Sequence, residues 1–221
     1  MRRLIILGCG SFGQVAHYFF VHDSEYQVVG FAVDEAFRQA PSFLGLPVTS
    51  FEEIERRYPP DDHQIFVAIG LRGVNQQRAA KLLEAEARGY QLASYVSSRA
   101  IVPKGFAAEP NTWIMETAHL HPYVSVGRNA IIWSRSMVGF KSRIGDHCWI
   151  SGGLIGESVT VGERSFIGLG ATIASFTTVG KGNLIGAGAV ILKDTKDFEI
   201  YRGHASTPSR VPSTRFNNFN G

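Results

Sequence analysis

From Val126 onward the chain opens a new unit with Ile or Val every six residues. The units read VGRNAI, IWSRSM, VGFKSR and IGDHCW, then a five-residue ISGGL, then IGESVT, VGERSF, IGLGAT, IASFTT, VGKGNL, IGAGAV and ILKDTK. The second residue is usually Gly. The fifth is small in the full units (Ala130, Ser136, Ser142, Cys148, Val159, Ser165, Ala171, Thr177, Ala189, Thr195), with Asn183 the larger polar exception. Backwards the pattern runs through LHPYVS, IMETAH, AEPNTW and, less well, VPKGFA. A β-sandwich would show alternation broken by turns every 8–12 residues or so, not a strict six. Three short strands joined by tight corners instead close a triangular coil of 18 residues. The β-branched opener points inward onto its equivalent in the next coil, and Gly is expected to supply the backbone freedom of the corners. The sequence thus predicts a left-handed parallel β-helix over about residues 100–196, in a domain spanning 98–200 with a tail at 201–221.

A solenoid leaves its faces and end edges to be covered. Phe140, Trp133, Phe166 and Phe176 lie on those faces, and a neighbouring copy is the simplest cover, so a homotrimer is expected.

Residues 1–97 follow another rhythm. RRLIILGCGSFGQVAHYFF reads as a strand, a glycine turn (Gly8, Gly10, Gly13) and an amphipathic helix. A second strand, VVGFAVDE, ends at Asp34. A short acidic helix near FEEIERRY, the strand QIFVAIG, the helix NQQRAAKLLEAEARGY and the strand QLASYV complete a small α/β, Rossmann-like unit. Gly-x-Gly-x-x-Gly between strand and helix presents backbone N–H groups to a phosphate, and an acidic residue such as Asp34 can take a ribose hydroxyl. About four strands are too few for the two mononucleotide halves of a dinucleotide fold. A nucleotide-sugar site, or a purely structural turn, remains open.

Composition excludes more than it selects. Twenty-two Lys and Arg against 19 Asp and Glu give a net charge of +3, too mild a balance to predict nucleic-acid binding. The two cysteines, Cys9 and Cys148, suggest neither a disulfide framework nor a metal site. The apolar N-terminal run stops at glycines, too short for a signal peptide or membrane span, so a cytoplasmic protein is expected.

The glycine turn, the stretch VAIGLRGVNQQRAAKLLEAEARGYQLASYV and the hexapeptide series together resemble, over about residues 3–205, the sugar O- and N-acyltransferases of nucleotide-linked amino sugars. That group includes sialic-acid O-acetyltransferases and the bacillosamine-pathway acetyltransferase. The resemblance implies an N-terminal domain that binds the nucleotide sugar, acetyl-CoA as co-substrate along the β-helix between subunits of a trimer, and a histidine base. It places Gly8, Gly10, Ser11, Gly13 and Asp34 near the sugar nucleotide. It puts Gly168, Gly170, Gly186, Ala187 and Gly188 along the pantetheine arm, and Lys193, Arg202 and Arg210 near the CoA phosphates.

At the base the chain departs from that pattern. Phe140 stands where relatives carry histidine, Lys141 where they often carry another, and Met137 and Gly153 occupy nearby histidine-bearing positions. Phenylalanine accepts no proton, whereas an amine or hydroxyl nucleophile usually needs a base. In the stacking of coils Phe140 sits over Pro122 and under Glu157. His121, beside Pro122, and Glu157 are therefore the candidate bases. His119 is the third candidate, expected by register at a corner, and His147 is expected at the surface. Two functions follow: an acyl-CoA-dependent, by expectation acetyl, transferase with a non-standard base, or a non-catalytic trimeric homologue that binds ligands or regulates. A third variant keeps the groove but uses a more nucleophilic acceptor. The acceptor, the acyl group and N- or O-acylation are not legible.

Overall fold

The computed structural model describes residues 2–208 and 210–215. The N-terminal unit runs β1 (Arg2–Leu7), α1 (Ser11–His22), β2 (Tyr26–Val33), β3 (Ser42–Phe43), β4 (Leu46–Ser50), a short α2 (Ile54–Arg57), β5 (His63–Val67), α3 (Gln76–Ala87) and β6 (Gln91–Leu92). Its sheet is ordered β3-β4-β2-β1-β5-β6, parallel except for the β3–β4 hairpin. The run Leu4–Leu7 is apolar at every position because β1 is covered on both faces. Leu4 and Ile6 pack with Phe12 and Phe20 of α1, whereas Ile5 and Leu7 pack with Phe51, Ile54 and Leu82.

QLASYV is divided rather than a single strand. Gln91–Leu92 pairs with β5, while β7 (Tyr95–Val96) pairs with Trp113–Ile114 and begins the β-helix. From there the chain winds as a left-handed β-helix of two-residue strands on three faces. The register is 18 residues, as in Ile131 opposite Trp149, 17 across the short unit, as in Trp149 opposite Phe166, and 16 at the last coil, as in Leu184 opposite Ile200. On each strand the second residue points inward. Ile132, Ile150, Ile167 and Ile185 stack on one face, Val138, Ile155 and Ile173 on the next, Ile144, Val161 and Val179 on the third, all of them buried. The polar fifth residues are satisfied by carbonyls of the following coil: Ser136 Oγ donates to Ile150 O, Ser142 Oγ to Gly156 O and Ser165 Oγ to Gly180 O. Asn183 closes the top, donating to Thr195 Oγ1 and accepting from Glu199 N.

The glycines do something other than expected. Left-handed backbone falls on the fourth residue of each unit, and that residue is mostly not glycine: Asn129 (φ 56), Arg135 (φ 63), Lys141 (φ 58), His147 (φ 60), Arg164 (φ 59). The second-position glycines are there for close approach. A Cβ on Gly139 would stand 2.4 Å from Gly156 O, and one on Gly162 2.5 Å from Lys181 N. At these glycines it is coil-to-coil spacing, not corner torsion, that leaves no room for a side chain.

Two seams join the units. In the first, α1 lays Phe12, Phe19 and Phe20 on Tyr95, Trp113, Trp133 and Trp149; the Phe12 ring lies 5.9 Å from Trp133 and 5.3 Å from Trp149. Trp133, expected to need a neighbouring copy, is thus covered by its own chain, while Phe140 and Phe176 stay exposed. The second seam is polar. Arg78 of α3, fully buried, donates to Asn75 Oδ1, Asn129 Oδ1 and O, and His147 O, and lies over Trp149. Asn111 pairs with both N–H and C=O of Val67 and donates to Asn129, and Arg128 makes an ion pair with Glu86. Burial pulls the Arg78 guanidinium down to about 9, which leaves it charged at neutral pH.

Candidate functional site

Four neighbourhoods bear on function. The first is the glycine turn. Gly8 (φ 128) lies against β5, where a Cβ would meet Ala68 O at 2.6 Å, and one on Gly13 would meet Gly8 O at 2.0 Å. Gly10 caps α1 with no side-chain hydrogen bond and open space around its Cα, so the first-turn N–H groups are left for a ligand. A cavity of about 230 Å³ opens there, lined by Gly8, Gly10, Asp34, Phe37, Gln77 and Lys81. Asp34 holds Lys81 at 2.7 Å, and Lys81 also reaches Glu84 at 2.6 Å. Burial works against the ammonium, but the hydrogen bonds to Asp34 and Glu84 outweigh it and hold its pKa above the ordinary value. Asp34 therefore faces the cavity as one half of an ion pair, not as a lone carboxylate. Cys9 lines the same cavity, and burial pushes its thiol up to about 11, so it is neutral.

The second is a cleft of about 400 Å³ between the turn and the β-helix. It shares Gly10, Ala68 and Gly70 with the first cavity and is walled by Phe12, Trp133 and Trp149, with Ser11 at its edge. The two indoles stack, 5.7 Å apart at 30°.

The third is one corner of the β-helix, where Arg135, Gly152, Gly170 and Gly188 succeed each other in consecutive coils. Gly170 N donates to Gly152 O and Gly188 N to Leu169 O. Gly170 and Gly188 both have φ 67 with nothing within 4 Å of an added Cβ, so the backbone there is bare. The predicted pantetheine set divides here. Gly170, Ala187 and Gly188 are exposed. Gly168 and Gly186 face the next coil, where their Cβ atoms would stand 2.7 Å from Ala187 N and 3.0 Å from Tyr201 O. Lys193 and Arg202 are exposed.

The fourth is the Phe140 corner. Phe140 meets Tyr123 edge-on at 5.4 Å and lies under Lys141 Nζ at 5.2 Å. Ser158 N donates to Phe140 O, which sets Glu157 in the coil above, exposed, its N–H on Ser175 Oγ. His121 is half-buried, its ring stacked 4.4 Å from that of His119. His119 is not at a corner: it sits in a strand, in register with Met137. Nor is His147 free surface. Its Nδ1 lies 2.8 Å from Asn129 Nδ2, and burial lowers its pKa, with Arg78 and Arg128 adding to the shift and Asp146 opposing it. Among the described residues no cluster of His, Cys, Asp or Glu could hold a metal ion, and no helix is long and apolar enough to cross a membrane.

Sequence reasoning missed the indole cleft and Lys81. Phe12 fills an unconstrained position of the glycine motif, Trp133 and Trp149 belong to different coils, and Lys81 reads as a solvated helix charge.

This layout matches known proteins. Residues 3–82 match the PglD N-terminal domain family, and residues 158–193 match the hexapeptide repeat of succinyl-transferase. The first match falls on the N-terminal unit and the second within the β-helix. The same fold is seen in a mutant perosamine N-acetyltransferase from Caulobacter crescentus in complex with CoA and GDP-perosamine, with 23% identity over 90% of this chain and 93% of that one, TM-score 0.80. WeeI from Acinetobacter baumannii has 20% identity over 89% and 94%, TM-score 0.75. The acetyltransferase domain of PglB from Neisseria gonorrhoeae, in complex with acetyl coenzyme A, has 24% identity over 94% and 99%, TM-score 0.64. No curated protein matches the chain.

Proposed function

We propose that this chain is a CoA-dependent acyltransferase, acetyl by expectation, acting on an amino or hydroxyl group of a nucleotide-linked sugar. The observation that carries the reading is the pairing, in one chain, of an uncapped glycine turn opening on a cavity with a β-helix corner stripped to bare glycine backbone. The first suits a diphosphate, the second a thin pantetheine arm accepting and donating backbone hydrogen bonds. Relatives of the same fold bind CoA and GDP-perosamine, or acetyl coenzyme A. In this reading Gly8, Gly10, Ser11, Gly13 and Asp34 frame the nucleotide sugar, with Lys81 as partner of Asp34. Gly170, Ala187 and Gly188 line the pantetheine path, Gly168 and Gly186 hold the coils that shape it, and Lys193 and Arg202 meet the CoA phosphates.

His121 or Glu157 takes the proton in place of a histidine at Phe140. His121 is half-buried with its ring steadied by His119, which favours it over the exposed Glu157. The exposed Phe140, Leu154, Phe176 and Val190 would be covered by two further copies in a homotrimer. Thiol release from acetyl-CoA, measured with a panel of nucleotide-linked amino sugars, tests the reading. The expected result is turnover that falls about 100-fold or more in one of His121→Ala and Glu157→Gln. Turnover unchanged in both removes both residues as base. CoA binding with no thiol release for any acceptor would instead establish a non-catalytic homologue.

A further inference from the structure

At the end of the N-terminal sheet opposite the glycine turn, the strands start among cations that the acyl transfer does not use. Arg3 opens β1 between Gln27 of β2 and His63 of β5. These three, with Arg57 at the end of α2 and Tyr58 after it, line a cavity of about 330 Å³ whose walls include no carboxylate. Neither arginine has an ion-pair partner among the described residues, whereas Arg38, Arg56 and Arg88 of the same unit each hold a glutamate, at 2.7, 2.9 and 2.6 Å. Two of the lining groups are fixed. Tyr58 and His63 are buried, their rings edge to face at 5.3 Å. Gly30 makes room for the Tyr58 hydroxyl, which any Cβ there would strike. The Nδ1 of His63 lies 3.0 Å from Pro59 O, an acceptor, so Nδ1 carries the proton and Nε2 has no partner among the described residues. Guanidinium groups from two elements, over a wall without negative charge, suit a phosphate, which takes paired N–H bonds from each fork.

A second cavity, of about 420 Å³, shares Arg3 and His63 with the first and differs in character. Arg2 is joined there by Asp61, Asp62, Gln64 and Gln91. Gln64 is already engaged, accepting from the Tyr26 hydroxyl and donating to Gln91 Oε1, which leaves Gln91 Nε2 to donate elsewhere. Asp61 and Asp62 make no ion pair among the described residues. Carboxylates and a carboxamide N–H pair well with hydroxyls, but the carboxylates repel a second phosphate. We propose that the two cavities form one site for a phosphorylated sugar, its phosphate held by Arg3 and Arg57 and its hydroxyls by Asp61, Asp62 and Gln91. A nucleoside diphosphate fits less well, because its second phosphate would lie against the two aspartates. The site is separate from the glycine turn, since β1 carries the chain about 16 Å from Arg3 to Gly8. It does not rest on the nucleotide-sugar reading above.

Calorimetry on the full chain tests the site with glucose, inorganic phosphate, glucose 1-phosphate and glucose 6-phosphate. The expected result is saturable binding of at least one sugar phosphate, about 10-fold or more tighter than inorganic phosphate, and none of glucose. Arg3→Ala and Arg57→Ala are each expected to weaken that sugar phosphate about 10-fold or more. Both side chains are exposed, so their loss leaves the fold intact. In the double variant Asp61→Ala/Asp62→Ala the advantage over inorganic phosphate shrinks to about twofold or less. Affinity for UDP or GDP is unchanged in all of these variants. The inference is overturned if neither sugar phosphate binds the native chain, or if neither binds more tightly than inorganic phosphate or glucose. Sugar-phosphate binding that survives both arginine variants, or that UDP or GDP displaces, belongs to the glycine turn and also overturns it. Failure of UDP and GDP to bind removes the nucleotide-sugar reading and leaves this site standing.

Discussion

Two corners of the same β-helix share one backbone conformation and use it in opposite ways. Asn111, Asn129, His147 and Arg164 at one, and Arg135, Gly152, Gly170 and Gly188 at the other, occupy the equivalent left-handed position of successive coils, all with φ between 56 and 71. At the first corner the side chains are polar and largely buried, knitted to α3 and to the end of β5 through Arg78, Asn75 and Val67. At the second the side chains vanish above Arg135, and the backbone stands bare at Gly170 and Gly188. The strain of a left-handed residue, roughly 1–2 kcal/mol each for a non-glycine, is borne where it gains a hydrogen-bonded joint. It is avoided at the corner that the proposed function gives to the pantetheine arm. The Phe140 corner is a third case, with Tyr123, Lys141, Ser158 and Phe176 in the same conformation and aromatic rings left in solvent.

The contrast can be broken most forcefully at the joint. Arg78→Ala strands the acceptors on Asn75, Asn129 and His147 in a dry interior, and is expected to lower unfolding free energy by about 3–5 kcal/mol in urea titration. A loss below about 1 kcal/mol would mean that the seam is wet and that the two corners differ in composition alone.

Gly170→Ala tests the other side. Open space surrounds the new methyl, so the cost is the left-handed torsion, about 1 kcal/mol, readable as a small drop in Tm. If the pantetheine arm runs along this corner as proposed, acetyl-CoA affinity by calorimetry is expected to fall about 10-fold or more, because the methyl stands in its path. Unchanged affinity would place CoA elsewhere.

The smallest effect is a pH slope confined to the joint. Burial, with Arg78 and Arg128 adding to it, lowers the His147 pKa in the folded chain. The unfolded chain then binds more protons, so this contribution is present above the unfolded value near 6.5 and is lost as pH falls through the folded one. His147→Asn should flatten that part of the stability profile. A slope that persists in the variant would belong to another group.

What was legible in the chain was whatever repeats. Six-residue spacing of Ile and Val is a local signal, and it gave the β-helix and the identity of its inward residues from Ile132 to Ile191. The role of the glycines is not legible, because torsion and close approach leave the same letter in the sequence; only the 2.4 Å that would separate a Cβ on Gly139 from Gly156 O tells them apart. The joint was illegible for a different reason. Arg78 lies in NQQRAAKLLEAEARGY, a helix whose charges read as solvated, and nothing along the chain says that Asn129 and His147, 51 and 69 residues away, will take its hydrogen bonds. Of the candidate site, the glycine turn and the bare corner could be named in advance. The ion pair of Lys81 with Asp34, the strand position of His119 and the indole cleft could not, since each depends on which coil lies beside which element.

The one short unit, ISGGL, has a consequence for how the chain finds its place. In a run of equal coils, threading the chain one whole coil out of step would bury nearly the same residues and differ little in energy. The coil of 17 acts as an index mark: a chain displaced by 18 residues would have to absorb one surplus residue and one missing residue at neighbouring corners. That penalty singles out one alignment from a ladder of near-equals, and with it the coil that ends up facing α1.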